Sequence, residues 1–134
     1  MRGFIMSLSV ALAACNTPTM PFRGAVAQRI SVEGSTFDVR LRGDLAEAIR
    51  INMQYAPRLG PIEGRAATAM ALVSGCRVTR VTGDQALMLG QLDCGGRNVD
   101  YQPQPGLALE CERIDDPLRL EGEPRFADYD CIAI

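Results

Sequence analysis

A chain of 134 residues with 14 basic and 16 acidic side chains carries a formal charge of only −2. All the basic residues are Arg, with no clustered basic run of the kind nucleic acid requires. His is absent, which removes the commonest general base, and the length fits one domain able to bury a core.

The first fifteen residues read as a targeting segment. Met1-Arg2 supplies one positive charge, and Phe4 to Ala14 is uncharged and apolar apart from Ser7 and Ser9. That run is shorter than the roughly 20 apolar residues needed to span a bilayer. It has the length of a signal-peptide core and ends on small residues, as cleavage requires. The ending, Leu12-Ala13-Ala14-Cys15, resembles the lipobox of bacterial lipoproteins. The resemblance covers residues 1–15 alone, and it departs from the usual pattern in its short charged region, where Arg2 stands by itself. It implies a diacylglyceryl group on the Cys15 thiol, cleavage before Cys15 and acylation of the new amino terminus. In the enteric form of the sorting rule, Asp after the lipidated cysteine retains a lipoprotein in the inner membrane. Asn16 therefore implies the outer membrane, facing the periplasm. Several acyl chains hold a protein stably where one gives only reversible binding.

From Asn16 to Gln28 the chain holds Pro18 and Pro21 and a single charge, Arg23, and reads as a tether. The organisation expected is thus a signal peptide over 1–14, the lipidated cysteine and tether over 15–28, a core over 29–96 and an acidic extension of the same domain over 97–134. Ile30 and Val32 alternate with polar neighbours, and Gly34-Ser35 is a two-residue hairpin signal. Thr36 to Arg42 alternates, with Phe37, Val39 and Leu41 on one face and Asp38, Arg40 and Arg42 on the other, as in a sheet with one wet side. After a turn at Gly43-Asp44, Leu45 to Asn52 fits strand by alternation and helix by its Ala and Glu content. Strand is preferred because it continues the meander. Ile62 to Ser74 is the clearest helix. Its stripe is Ile62, Ala66, Ala69, Met70 and Val73, with Pro61 suited to the first helical position and Gly75 to the stop. Cys76 to Thr82 and Gln85 to Asp93 read as a hairpin about Gly83-Asp84. Farther on, Leu107, Leu109 and Cys111 alternate, as do Tyr129, Cys131 and Ala133, which suggests two short strands stapled together. The fold class expected is α+β: an antiparallel sheet of about five strands with one helix on one face, and a disulfide-braced C-terminal extension.

Setting Cys15 aside leaves Cys76, Cys94, Cys111 and Cys131, an even number in an oxidising compartment. Of the three connectivities, Cys76 with Cys94 and Cys111 with Cys131 suits the hairpins, because both cysteines of a pair then lie at an open end. No C-x-x-C pair is present, which weighs against a four-cysteine zinc site.

Charge is unevenly spread. Residues 16–99 carry ten Arg against seven acids, whereas residues 100–134 carry three Arg against nine acids. Asp115, Asp116, Glu121 and Glu123 in the acidic third mark a surface for a basic protein partner. Chemistry is sparse. The Ser residues beyond Cys15, namely Ser31, Ser35 and Ser74, lack a G-x-S-x-G setting, and no G-x-G-x-x-G or phosphate loop occurs. Asp128-x-Asp130 lacks EF-hand spacing, and Met53, Met70 and Met88 are dispersed like core residues. The expectation is a non-enzymatic envelope lipoprotein without a cofactor, bound to the bilayer through Cys15, serving as a structural or interaction module. The alternative is a small inhibitor of a basic partner such as a lysozyme-like enzyme, although the helix fits the all-β build of such inhibitors poorly.

Overall fold

The computed structural model describes residues 16–54, 58–97, 106–114 and 128–134. The alternating segments pair first with their chain neighbours. Strand β1 (Gln28–Val32) turns into β2 (Ser35–Arg42), which turns into β3 (Leu45–Arg50), all antiparallel. The preferred strand reading of the third segment therefore holds. The first turn lies one residue earlier than expected, at Glu33-Gly34, with φ of 48° and 81°. A two-residue turn that matches the strand twist needs positive φ at both central positions. Ser35 instead opens β2, wholly buried, where it donates to Gln54 Oε1 at 3.0 Å.

Helix α1 (Leu59–Ser74) follows, starting two residues before Pro61, the expected first helical position. Pro61 still lies in the first turn, where its missing N–H has no intrahelical partner to lose. The expected stripe is the buried face: Ile62, Ala66, Ala69, Met70 and Val73 are each no more than 7% exposed. Gly75 ends the helix in the left-handed region and donates its N–H to Ala71 O at 2.8 Å. Strands β4 (Arg77–Gly83) and β5 (Leu87–Asp93) form the next hairpin, and β5 pairs with β3.

Strands β6 (Ala108–Ile114) and β7 (Asp128–Ala133) pair antiparallel. They do not stand apart as an extension. β6 runs parallel to β1, so among the described residues the sheet has seven strands in the order β4-β5-β3-β2-β1-β6-β7. The expected five-strand antiparallel sheet is thus larger and mixed. Alternation identifies a strand but not its neighbour, and here the neighbour lies some eighty residues away in sequence.

The main core lies between α1 and one face of this sheet, with Ile30, Val32, Phe37, Val39, Met88, Leu92 and Cys111 among its members. Small residues let the helix come close. Ala46 and Gly90 are cross-strand partners beneath it, and a Cβ on Gly90 would stand 2.6 Å from Met70 Sδ. Two disulfides, Cys76–Cys94 and Cys111–Cys131, close loops of 18 and 20 residues' separation. Cross-links over loops of that size contribute about 3 kcal/mol each in the chain-entropy account. Cys111 and Cys131 are direct cross-strand partners.

Candidate functional site

The second face of the sheet carries the side chains that alternate away from α1. The register sets Arg29 opposite Asp38, Asp38 opposite Ile49, and Arg40 opposite Glu47. Four of these, Asp38, Arg40, Glu47 and Ile49, lie on the two central strands β2 and β3, and all four are buried, Glu47 at 0% and Arg40 at 7% exposure. The wet side expected of β2 is therefore wet only beyond them, at Arg42, which is exposed. Neither Asp38 nor Arg40 offers an open contact surface.

The cover is the chain's own residues 16–24, the segment expected to be a tether. It lies along β2. Asn16 sits beside Asp38 and Arg40, Thr19 beside Glu47, and Arg42 Nη2 donates to Arg23 O at 3.3 Å. A 3-10 turn at Met20–Phe22, with Pro21 in its first positions, drives Phe22 into the sheet at 1% exposure. Fully burying a Phe side chain stabilises by about 1.5–3 kcal/mol relative to leaving it in water. A free linker forgoes that gain, so Phe22 is the apolar clasp of this strap.

Polar contacts complete it. The Arg29 guanidinium donates to both Asp38 oxygens, Nε to Oδ1 at 2.8 Å and Nη2 to Oδ2 at 3.0 Å. Asn16 Nδ2 donates to Asp38 Oδ2 at 2.5 Å, and Asn16 Oδ1 accepts from Arg40 at 3.4 and 3.5 Å. Burial by itself raises the Asp38 carboxyl. The hydrogen bonds from Arg29 and Asn16, with the charges of Arg29 and Arg40, outweigh it and hold the group below the usual aspartate value. The same hydrogen bond from Arg29 to Asp38 raises the Arg29 guanidinium against its modest desolvation. Glu47 Oε2 accepts from Thr19 N at 2.8 Å and Thr19 Oγ1 at 2.6 Å. Glu47 Oε1 has no hydrogen-bond partner among the described residues and faces Arg40 Nη1 at 3.7 Å.

Chemically this is a closed latch. The two carboxylates are each engaged by a cation and buried, and the strap contacts both through Asn16 and Thr19. Its function is to fix the first residues after position 15 to the domain.

The other sequence-singled residues fall elsewhere. Cys15, Asp115, Asp116, Glu121 and Glu123 lie outside the described residues. Asp130 is opposite Glu112 on the β6–β7 pair, and Asp128 opposite Ile114. Met70 and Met88 belong to the core, but Met53 is 99% exposed, so the expectation that all three pack inside is corrected for Met53. It sits past the end of β3, where the second face gives out. Among the described residues no three His, Cys, Asp or Glu side chains group as a metal site, and no helix is long and apolar enough to cross a membrane.

Sequence reasoning missed Asn16, Thr19, Phe22, Arg29 and Glu47. Two signals pointed to them. Phe22 is a large aromatic in a stretch that a solvated linker has no use for. Strand β3 is apolar on both sides, with Ala46 and Ala48 on one and Leu45 and Ile49 on the other, and such a strand requires cover on both faces. Comparison with protein families, with curated proteins and with solved structures finds no match to this chain.

Proposed function

We propose that this chain is a lipid-anchored lipoprotein of the cell envelope, acylated on Cys15, that works by contact rather than turnover. The observation that carries this reading is the strap. The residues directly after the lipobox cysteine are built into the fold, as suits a chain whose amino terminus is a working attachment point. Its likeness to the lipobox is confined to Leu12-Ala13-Ala14-Cys15. The location that follows from Asn16 is the outer membrane, facing the periplasm.

The contact surface in this reading is the acidic third, through Asp115, Asp116, Glu121 and Glu123, toward a basic protein partner. The alternative contact surface is the sheet face of Asp38, Arg40 and Arg42, of which Asp38 and Arg40 are buried and Arg42 is exposed. Mass spectrometry of the amino-terminal peptide tests the anchor: an acylated Cys15 is expected, and an unmodified terminus farther along the chain overturns it. Capture from crosslinked envelopes tests the surface. Neutralising the four acids together weakens capture more at low salt than at moderate salt, because screening acts within about 8 Å at physiological ionic strength. Equal capture by wild type and variant at both salts refutes the acidic surface. Capture of a lysozyme-like enzyme, with loss of its activity, identifies the protein as an inhibitor instead of an assembly component.

A further inference from the structure

Asn16, Arg29, Arg50 and Met53, together with Ile51 and Asn52, line one shallow depression of about 460 Å³. Met53 is 99% exposed, the most of any large hydrophobic side chain among the described residues. Its neighbours pin it there. Asn52 accepts from Thr36 N at 2.9 Å and donates to Gly34 O at 2.8 Å, and Gln54 donates to the same carbonyl at 3.2 Å. Met53 thus projects outward from a fixed position.

The flanking charges are cationic. Arg29 keeps 51% of its side chain exposed while it grips Asp38. Arg50 donates to two backbone carbonyls, Gln85 O at 2.8 Å and Asn52 O at 2.6 Å, and no carboxylate among the described residues pairs with it. An apolar tip and two guanidinium-bearing residues lining one depression match the boundary of a phospholipid layer, with phosphates outside and acyl chains within.

Position is the deciding argument. Residue 15 is covalently bound to Asn16, so its Cα lies about 3.8 Å from that of Asn16. Asn16 is itself held by Asp38 and Arg40, and Thr19 and Phe22 hold the strap behind it. An acyl group on Cys15 would therefore be attached one residue from the held Asn16.

We infer that the surface formed by Met53, Arg29 and Arg50 around Asn16 lies directly on the phospholipid bilayer, so that the anchor fixes the domain flush and in one orientation. Helix α1, on the opposite face of the sheet, then points away from the membrane. This inference rests on acylation of Cys15 as proposed above. The two fail separately: the first by the mass of the amino-terminal peptide, the second by the depth of the surface in a protein whose acylation has been verified.

The test uses a convenience of the sequence, which contains no Trp. Met53→Trp and Leu72→Trp each introduce a single fluorophore, at a fully exposed site near Asn16 and at an exposed site on α1. Substitution at such surface positions leaves stability nearly unchanged. Each full-length variant is matured, checked for acylation and reconstituted into phosphatidylcholine vesicles with or without brominated acyl chains. The expected result is a blue-shifted emission and loss of intensity for Trp at 53 in brominated vesicles, with neither change at 72. Unshifted, unquenched emission at 53 in acylated protein overturns the inference, as does equal quenching at both positions. An amino-terminal peptide without acyl groups overturns it together with the anchor.

Discussion

The buried pair beneath the strap makes a quantitative prediction. Arg40 and Glu47 keep 9% and 0% of their side chains exposed, and their charged atoms stand 3.7 Å apart. Arg40→Met preserves most of the aliphatic stem but removes the cation, leaving the buried Glu47 without its counter-charge. Breaking a buried pair in this way costs about 3–5 kcal/mol. Glu47→Leu costs less, because Arg40 retains the Asn16 carbonyl at 3.4 Å and a little solvent. The double variant, Arg40→Met with Glu47→Leu, loses the Thr19 hydrogen bonds but strands no charge. It should recover most of the loss, so the two single effects exceed the double by at least about 2 kcal/mol. Urea denaturation of the oxidised protein measures all four corners of this cycle. A cost below about 1 kcal/mol for Arg40→Met, adding simply to that of Glu47→Leu, is the behaviour of a hydrated surface pair. That outcome would mean that residues 16–24 do not seal the face.

Two further outcomes follow from the same geometry. Asp38 titrates below its unfolded value, so its contribution is fully present above about pH 3.9 and fades as pH falls through the lower folded-state value. Unfolding measured at pH 7 and pH 3 should accordingly show a larger loss for wild type than for Asp38→Asn, and parallel losses would contradict the pairing with Arg29. Gly83→Ala should lower the thermal midpoint, because φ there is +134° and the new Cβ would stand 2.2 Å from Leu87 O. A residue forced into such a conformation costs about 1–3 kcal/mol, and an unchanged midpoint would argue that the β4–β5 turn is built otherwise.

How far the fold could be read from sequence depended on whether each segment shows its burial locally. Phe37, Val39 and Leu41 alternate with charges, so β2 announces itself and its inward face. The helix stripe from Ile62 to Val73 does the same at the longer period. Cys111 and Cys131 lie in two alternating runs, which is why their pairing could be anticipated. The parallel neighbourhood of β1 and β6 left no such trace, because nothing in either strand encodes which partner lies beside it. The strap was hidden for a different reason. Asn16, Thr19 and Phe22 follow no periodic pattern; Asn16 and Thr19 hold on through hydrogen bonds to strands more than twenty residues on, and Phe22 through burial of its ring. Low charge and two prolines resemble a linker until the two-sided apolarity of β3 is considered. Of the expected contact site, the four acids lie outside the described residues, whereas on the alternative face Asp38 and Arg40 are buried and Arg42 is exposed.

Hydrogen exchange across residues 16–25 tests the strap most directly. Thr19 N–H donates to buried Glu47 at 2.8 Å, Phe22 N–H to Thr19 O at 2.9 Å and Ala25 N–H to Phe22 O at 3.1 Å. A docked strap predicts that these amides exchange far more slowly than those of a free peptide, and that Phe22→Ala releases them while β2 stays protected. Exchange of this segment at free-peptide rates in the wild-type protein, with β2 protected, would show a loose tether and contradict both the latch and the flush anchoring built on it.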